Sequence, residues 1–554
     1  MKMLTFPEYM SLFPHDQWTV PAVLEHQAQA RADSPFLNFN DGACRLTFGE
    51  INREVNRFAH GMTALGIRKG DRIGLMLPNC VDFLFAWLAL AKLGAAEVAI
   101  SDAYKGAFLE HPLNLASARM VVTTNELLPA VQEAARNVPG LERIIVCGGD
   151  ALAEDGSVPL TAFATLRSDN ESNPGIDVRP SDLGAILLTS GTTGPSKGVM
   201  MPHSQMYFFA EENIQITGLT ADDTYLTGFP LFHGNAQILT VYGSLIAGAR
   251  CALYPRFSAS DFIGRIRRSG ATVTNLLGAT MAFVLAQPKA PDDREHSLRT
   301  VYAAPLSPDL GAKFVERFGP TEFVDGFGQT EISLPFLTPR GAPRPAGAAG
   351  VLNAQFFDVR LVDESGAEVA TGQAGELLVR NKADGIMSMG YVGMADKTVE
   401  TWRDLWFHTG DSLKRDEDGW YYFVGRVKDA LRRRGENISA FEVEEVVRAF
   451  PAVAECAVVG VRADQDAGED EVKACVVLKE DETLDVRALI QWCDTRMPGF
   501  MVPRYVEVYA RLPQTPSEKI KKNELRDAGI TDTTWDRVAA GVLLAGERDR
   551  TQAA

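Results

Sequence analysis

The sequence predicts an α/β protein: a large amino-terminal domain of two helix-flanked sheets plus a β-barrel-like subdomain, then a small α+β domain. Three observations predict this fold class. Short β-branched runs alternate with longer helical patterns over most of the chain, turn-linked strands replace them from about residue 357, and a mixed pattern begins near residue 425. We therefore expect domains at 1–425 and 426–554, with the β subdomain at about 350–425.

The alternating region justifies the two sheets. A buried strand is expected at 72–78 and a helix at 81–93 directly after it. Further strands at 120–124 and 143–147 flank a helix at 126–137, and after residue 220 strands are expected at 225–229, 250–254, 272–277 and 300–304. Such alternation is typical of parallel sheets covered by helices.

Turn signals define the remainder of the chain. Strands at 358–362 and 375–380 flank a Ser-Gly turn and predict an antiparallel hairpin, and 419–424 is another strand. Ser439 and Glu442 have capping-box spacing, which predicts a helix to residue 450. The last domain continues with strands at 456–461, 472–478 and 505–509 and a helix at 486–497. From Thr531 the polar tail is predicted to be poorly ordered.

The composition excludes several classes of protein. The chain has 554 residues with 55 Lys plus Arg against 72 Asp plus Glu, a net charge of −17. General nucleic-acid or anionic-membrane binders need clustered cations instead. The seven cysteines include no CxxC and the eight histidines no HExxH, so neither a disulfide scaffold nor a zinc site is expected. The amino terminus lacks a signal-peptide pattern, and the apolar stretch 83–100 contains Lys92 and Glu97. These features predict a cytoplasmic protein without a membrane span.

A loop of glycines and hydroxyl residues follows the strand at 185–188. Its glycines allow backbone N–H groups to point inward, its hydroxyls add donors, and its lysine adds a positive charge, which together suit the terminal phosphates of a nucleotide. The spacing Gly-x-x-Gly-x-x-Lys-Gly differs from the P-loop and disfavours a P-loop NTPase. The candidate residues are Thr189, Ser190, Gly191, Thr192, Thr193, Gly194 and Lys197.

Five more segments complete a pattern in chain order. They are Tyr302-Ala-Ala-Pro-Leu306, Asp325-Gly-Phe-Gly-Gln-Thr-Glu331, Trp406-Phe-His-Thr-Gly-Asp411, Gly425-Arg-Val-Lys-Asp429 and Leu512-Pro-Gln-Thr-Pro-Ser-Glu-Lys-Ile520. With the glycine-rich loop they resemble the motifs of the adenylate-forming superfamily, which includes acyl-CoA ligases, firefly-type luciferases and peptide-synthetase adenylation domains. The resemblance covers nearly the whole chain, and it implies that the carboxyl-terminal domain is mobile about a hinge at Lys428.

The resemblance assigns a nucleotide site. Asp411 would accept hydrogen bonds from both ribose hydroxyls, with Arg426 nearby as a donor. Asp325 would accept from the adenine amino group. The rest of the adenine segment is Ala303, Ala304, Gly326 and Phe327, where Phe327 offers an aromatic face.

The resemblance also assigns the chemistry. Thr330 and Glu331 supply hard oxygen atoms for Mg²⁺, which prefers carboxylate and phosphate ligands. Lys519 would bridge the attacking carboxylate and the α-phosphate of ATP, stabilising the charge that develops between two anions. Glu518 stands where the family usually has glycine, so the freedom of this loop is in question.

The acyl and coenzyme A sites are implied in the same way. His233 matches a position that borders the acyl pocket and the path of the thiol, Gly328 also lines that pocket, and Tyr302 replaces a common glycine there. Arg433, Arg434 and Gly435 would lie on the face that meets coenzyme A, whose 3′-phosphate favours arginine.

The implied reaction is ATP-dependent conversion of a carboxylic acid to an acyl-adenylate, followed by transfer of the acyl group to coenzyme A. The Phe-His-x-Asn-Ala-Gln string and the glycine-poor lysine loop are most similar to the carnitine/crotonobetaine-CoA-ligase-like branch. Two alternatives remain: an adenylating enzyme whose acceptor is a carrier-protein thiol, an amine or another nucleophile, and a nucleotide-binding protein without turnover. A Rossmann dehydrogenase is disfavoured because no GxGxxG follows a strand. The sequence leaves open the acid and the oligomeric state, with a homodimer as one option.

Overall fold

The computed structural model describes residues 4–148, 158–189, 196–304, 308–319, 321–426, 431–433, 436–438, 440–462, 470–513, 520–545 and 547. The chain divides into two compact units. The first comprises Met1–Asp102, His111–Leu188 and Gly198–Val427, and the second comprises Ala103–Glu110, Thr189–Lys197 and Lys428–Ala554. The main break, after Val427, lies two residues from the domain boundary expected from the sequence.

The strands follow in chain order. The earlier ones are β1 (Pro35–Phe39), β2 (Cys44–Thr47), β3 (Arg72–Leu75), β4 (Ala96–Ala99), β5 (Met120–Thr124), β6 (Arg143–Cys147), β7 (Leu160–Ala162), β8 (Leu183–Thr189), β9 (Lys197–Pro202), β10 (Thr224–Thr227), β11 (Arg250–Leu253), β12 (Val273–Leu276), β13 (Thr300–Ala303) and β14 (Glu322–Val324). The later ones are β15 (Gly326–Gln329), β16 (Ser333–Leu337), β17 (Ala348–Leu352), β18 (Phe357–Val362), β19 (Gly375–Asn381), β20 (Trp402–Arg403), β21 (Trp406–Arg415), β22 (Trp420–Arg426), β23 (Leu431–Arg433), β24 (Glu436–Ile438), β25 (Val453–Val461), β26 (Glu471–Leu478), β27 (Tyr505–Val508) and β28 (Trp535–Asp536).

The helices cover the sheets. They are α1 (Val20–Ala30), α2 (Phe48–Ala64), α3 (Val81–Lys92), α4 (Ala107–Leu115), α5 (Leu128–Ala135), α6 (His203–Thr217), α7 (Gly243–Ala247), α8 (Phe262–Ser269), α9 (Gly278–Leu285), α10 (Pro308–Phe318), α11 (Ala395–Thr401), α12 (Ala440–Arg448), α13 (Val486–Arg496) and α14 (Lys522–Asp527). The segment Asn235–Tyr242 is a π-helix, which the sequence analysis did not anticipate.

Two seven-stranded sheets carry most of the described strands before residue 325. Their strand orders are β7-β6-β5-β3-β4-β8-β9 and β14-β13-β12-β10-β11-β1-β2. The pairs from β3 to β8 are parallel, and in the second sheet only the β1–β2 pair is antiparallel. The predicted parallel sheets are confirmed.

Local signals explain the central helices. A capping box begins α2: Glu50 N–H donates to Thr47 Oγ1 at 3.2 Å and Thr47 N–H donates to Glu50 Oε2 at 2.8 Å. Helix α3 is apolar on nearly every side and runs directly into the fully buried strand β4. The interpretation of 83–100 as a helix followed by a strand is therefore correct. Across the described ranges, none of the helices has the length and apolarity needed to cross a membrane.

An antiparallel sheet forms the β subdomain, and it begins with β15 at Gly326, earlier than the predicted start near residue 350. Its order is β15-β16-β17-β22-β21-β19-β18, with β20 paired to β21. The hairpin of β18 and β19 pairs Asp358 with Arg380 and Val362 with Glu376, as the strands around the Ser-Gly turn predict.

The second unit has an α+β core. Strands β25-β26-β27-β28 form its sheet, and α12 and α13 bury Val443 and Leu489 in one apolar cluster with the strand residues Val458 and Ala474. Helix α13 matches its predicted span within one residue. The chain is thus an α/β protein with a large amino-terminal and a small carboxyl-terminal domain.

The prediction of a poorly ordered tail from Thr531 is wrong for the part that the structure describes. Strand β28 pairs with β27. Arg537 is 1% exposed, donates to the carbonyl oxygen of Val542 at 2.7 Å and pairs with Glu547 at 2.6 Å. The polar composition concealed these partners, because a buried ion pair is not visible in a composition count.

Candidate active site

The predicted ribose carboxylate and the predicted adenine strand meet in the first unit. Gln329, at the end of β15, donates through Nε2 to Asp411 Oδ2 at 2.7 Å and to the carbonyl oxygen of Thr409 at 3.0 Å. Asp411 lies on β21, is 2% exposed, and has Arg426 of β22 as its register partner. Strands β15 and β21, which are far apart in the sequence, are therefore joined by side-chain hydrogen bonds.

Asp325 is held by a cation that the sequence analysis missed. Its Oδ1 accepts from Gly326 N–H at 2.7 Å, and its Oδ2 pairs with Arg344 Nη2 at 2.8 Å. Arg344 also donates through Nε to the carbonyl oxygen of Ala348 at 2.8 Å. A carboxylate has about four lone-pair directions, so these two contacts alone do not use every acceptor position of Asp325. The motif gives no indication of Arg344, which lies 19 residues after Asp325 in the sequence.

The remaining adenine candidates lie at strand ends. Ala303 ends β13, and Ala304 follows it. Phe327 of β15 is half-buried, with ring centroids 6.0 Å from Phe336 and 5.9 Å from Phe423. The positions of Ala303 and Ala304 agree with a site at the carboxyl end of a parallel strand, where α/β sheets commonly bind ligands.

The turn after β15 carries the predicted metal ligand. Glu331 is 8% exposed, and its Oε1 accepts from the hydroxyl of Tyr391 at 2.9 Å. The carbonyl oxygen of Thr330 accepts from Gln205 Nε2 at 2.8 Å. A β-carbon on Gly328 would lie 1.8 Å from the carbonyl oxygen of Ser333, so the tight turn requires glycine there. Carboxylate and hydroxyl oxygens are the hard donors that Mg²⁺ takes, so the residues fit that ion.

Tyr391 also connects this turn with β9, the strand that follows the glycine-rich loop. The segment 389–392 pairs with β9: Met389 and Val392 N–H groups donate to β9 carbonyls, and Met200 N–H donates to Gly390. An isolated bridge joins Val199 to Tyr391. Tyr391, which belongs to none of the quoted motifs, therefore connects Glu331 with β9.

The acyl-side candidates surround the π-helix. His233 stands just before it, and its carbonyl oxygen accepts from Gln237 N–H at 3.1 Å. Tyr302 is 4% exposed and is the register partner of Asn275 on β12. Asn275 donates to Asn235 Oδ1 and, at 2.9 Å, to Thr240 Oγ1. His233 and Asn275, the register partner of Tyr302, thus both adjoin one helix.

Arg433, in the second unit, does not match its predicted contact with coenzyme A. It is 3% exposed, its Nε lies 2.7 Å from Glu471 Oε2, and its Nη1 donates to the carbonyl oxygen of Phe500 at 2.9 Å. This placement corrects the assignment: an arginine buried against a carboxylate and a carbonyl serves the core of its own unit, and its charge is already used.

Several candidates lie outside the described residues. Of the glycine-rich loop, Thr189 is the last residue of β8 and Lys197 the first of β9. Lys521 N–H donates to the carbonyl oxygen of Pro513 at 2.8 Å, which joins the residues on either side of the lysine segment. The candidates outside the description are Ser190, Gly191, Thr192, Thr193, Gly194, Lys428, Arg434, Gly435 and Lys519.

Comparison with known proteins agrees with this geometry. A family model described as AMP-binding enzyme matches residues 24–392, and one described as AMP-binding enzyme C-terminal domain matches residues 442–519. The crotonobetaine/carnitine–CoA ligase of Salmonella paratyphi A is 32% identical over 511 residues, which cover 90% of this chain and 97% of that protein.

Solved structures give the same result. The anthranilate CoA ligase AuaEII in complex with anthranoyl-AMP superposes with a TM-score of 0.69 at 27% identity, covering 96% of this chain and 100% of that one. The o-succinylbenzoate CoA synthetase of Bacillus subtilis, at 24% identity, supports the fold with a TM-score of 0.78 over 92% of this chain and 98% of that one. The chain therefore belongs to the AMP-binding enzyme family, among its AMP-forming acyl-CoA ligases.

Proposed function

We propose that this chain activates a carboxylic acid with ATP and transfers the acyl group to coenzyme A, releasing pyrophosphate and AMP. The observation that supports this most directly is the hydrogen bond from Gln329 to Asp411, which joins the candidate ribose carboxylate to the candidate adenine strand. Asp411 would bind both ribose hydroxyls, and Asp325, steadied by Arg344, would accept from the adenine amino group.

In the first step, a carboxylate oxygen of the acid attacks the α-phosphorus of ATP, and the bond to the pyrophosphate oxygen breaks. Both reactants are anions, so their repulsion is the main electrostatic barrier. Lys519 would bridge them, and its attraction grows as charge develops in the transition state. Lys197 and the hydroxyls of the glycine-rich loop would hold the departing phosphates.

Glu331 and Thr330 would hold Mg²⁺, which supplies charge neutralisation on the phosphate oxygens when bound. Tyr391 keeps the Glu331 carboxylate in one orientation through its 2.9 Å hydrogen bond. The hydrogen bond from Gln205 holds the backbone of the same turn. This chain's contribution is therefore a prearranged oxygen ligand.

In the second step, the thiolate of coenzyme A attacks the acyl carbon, and the bond to AMP breaks. We propose that the second unit rotates about Lys428 between the steps, removing Lys519 and admitting the thiol past His233. Arg434 and Gly435 remain candidates for the coenzyme A face, whereas Arg433 does not.

Pyrophosphate release tests the proposal. A panel of aryl, fatty, amino and hydroxy acids, with crotonobetaine, carnitine and anthranilate included because of the relatives' names, is assayed with and without coenzyme A. We expect acid-dependent pyrophosphate release and a coenzyme A thioester. Acid-dependent release without a thioester indicates a carrier-protein thiol or another acceptor, and the absence of release with every acid supports a binding protein without turnover.

Asp411→Ala separates the nucleotide role from the acid role. The change removes the ribose acceptor, so KM for ATP should rise at least tenfold while KM for the acid changes little. Gln355→Ala is a control, since Gln355 is exposed and its side chain exchanges hydrogen bonds with the backbone of Tyr9. An unchanged KM for ATP would remove Asp411 from the ribose site.

A further inference from the structure

A carboxyl group lies at the centre of one parallel sheet, and none of the described cationic side chains pairs with it. Glu97 is on β4, between β3 and β8, and is 1% exposed. Its Oε1 accepts from Gln237 Nε2 at 2.6 Å. Among the residues that the structure describes, two buried atoms of this pair, Glu97 Oε2 and Gln237 Oε1, have no hydrogen-bond partner. A fully buried glutamate with one hydrogen bond is rare and requires an explanation.

The protonation state of Glu97 decides whether these two atoms can form a hydrogen bond with each other. If the carboxyl is ionised, Glu97 Oε2 and Gln237 Oε1 are both acceptors and cannot satisfy each other. If the carboxyl is neutral, its O–H can donate to Gln237 Oε1 while Gln237 Nε2 donates to the other carboxyl oxygen. The result is a closed acid–amide pair with two hydrogen bonds, which removes two unsatisfied buried groups at once.

The surroundings favour the neutral form. Burial raises the pKa of Glu97 to about 8, opposed only by the hydrogen bond from Gln237. The ionisable side chains on the elements packed against β4 have other partners. Arg72 of β3 donates to the carbonyl oxygen of Ala116, and Lys92 of α3 pairs with Glu25 at 2.7 Å. Asp82 of α3 is hydrogen-bonded to Cys147. On the π-helix the titratable side chain is Tyr242.

The pair holds the helix that adjoins the acyl side of the site. The π-helix Asn235–Tyr242 begins two residues after His233, and Gln237 N–H donates to the His233 carbonyl oxygen. A π-helix of this length is uncommon and needs tertiary contacts to persist. Asn275, from the other seven-stranded sheet, donates to Thr240 Oγ1 at 2.9 Å. Each of the two sheets therefore contributes one buried side chain that hydrogen-bonds to this helix.

We propose that Glu97 is a positioning residue: it is held as a neutral carboxylic acid, pairs with Gln237 through two hydrogen bonds, and so fixes the helix that directly follows His233, beside the acyl group. The part concerning the acid substrate rests on the proposed function, whereas the protonation state and the pairing do not.

Infrared spectroscopy tests the protonation state without turnover. We compare the full-length protein with its Glu97→Gln variant. The difference spectrum at pH 6 should contain the carbonyl stretch of one neutral carboxylic acid, and that band should disappear as the pH rises through about 8. A difference spectrum that contains only carboxylate bands at pH 6 overturns the proposal, whether or not any acid is turned over.

Kinetics test the positioning role. If only the neutral pair orders the helix, KM for the acid should rise about tenfold from pH 7 to pH 9 because the competent fraction falls by that factor, while KM for ATP stays constant. Glu97→Gln can form an amide–amide pair, so it should keep the pH 7 value and lose the rise. Glu97→Met cannot form a pair and should raise KM for the acid at every pH. Identical pH profiles in the wild type and Glu97→Gln would overturn the role.

Discussion

The hydroxyl of Tyr391 lies 2.9 Å from Glu331 Oε1, and both side chains are largely buried, 5% and 8% exposed. The hydrogen bond joins residues 60 positions apart and fixes the carboxylate from the side of β9. Groups that orient a ligand in this way tune metal affinity without touching the metal. Tyr391 is therefore expected to act on Mg²⁺ through Glu331.

Tyr391→Phe removes the hydroxyl and keeps the ring. We expect the Mg²⁺ concentration for half-maximal pyrophosphate release to rise about 10- to 100-fold, and calorimetry should show weaker Mg²⁺-dependent binding of ATP. Tyr422→Phe is the matched control, because that hydroxyl donates to Asp416 at 2.7 Å. An unchanged magnesium dependence in the Tyr391 variant would rule out the role.

Lys519→Ala tests the two-step scheme. Removing the bridging ammonium should lower adenylate formation by at least 10²- to 10³-fold, the scale of a lost transition-state donor. Thioester formation from preformed acyl-adenylate should stay within a few-fold of wild type. Lys521→Ala is the control, since Lys521 pairs with Glu524 at 2.7 Å on the surface. Equal losses in both half-reactions would argue against a separate conformation for each step.

Arg433→Ala separates a structural arginine from a ligand-binding one. The change leaves Glu471 with one cation fewer and removes the donor to Phe500, so unfolding should become easier by about 3–5 kcal/mol. KM for coenzyme A in the folded protein should change little. The surface variant Arg448→Ala, which removes a pair with Glu445, should unfold like wild type. A normal melting temperature with a raised KM for coenzyme A would restore the original assignment.

The sequence predicted those features whose signals are local. Strand and helix patterns located the parallel sheets, and the turn at Ser365 and Gly366 predicted the β18–β19 hairpin. The nucleotide motifs made Asp325 and Asp411 candidates because each motif is a short contiguous string. Arg344, the partner of Asp325, and Tyr391, the partner of Glu331, lie outside the motifs, and only the folded chain brings them to these carboxylates.

Features set by tertiary contacts escaped prediction. The apolar run that contains Gln237 has no pattern that distinguishes a π-helix from an α-helix, since both bury one face. The side chains that hydrogen-bond to this helix, Glu97 and Asn275, come from two different sheets and are distant from it in the sequence. Tertiary contacts also explain why the burial of Arg433 was not predicted. The sequence shows a run of basic residues there, and only the folded chain brings Glu471 to Arg433.

Acid sensitivity of the second unit follows from the buried pair of Lys473 and Glu507. The ammonium is fully buried and lies 2.5 Å from Glu507 Oε2, and Thr531 and Thr533 also donate to that carboxylate. These partners lower the pKa of Glu507 from 4.5 to about 2 despite the opposing effect of burial. A carboxyl with a lowered pKa in the folded state stabilises the fold above its unfolded pKa, and the contribution is lost as the pH falls from about 4.5 to 2.

The loss amounts to about 3 kcal/mol, since each pKa unit corresponds to about 1.4 kcal/mol. Glu507→Gln should lower the calorimetric melting temperature at pH 7, because it leaves Lys473 buried with no carboxylate. The gap to wild type should shrink markedly at pH 3, where the wild-type carboxyl is already losing its advantage. Glu455→Gln, on an exposed position of β25, is the control for a change of charge alone. A gap of constant size from pH 7 to pH 3 would show that the pair does not set the acid response.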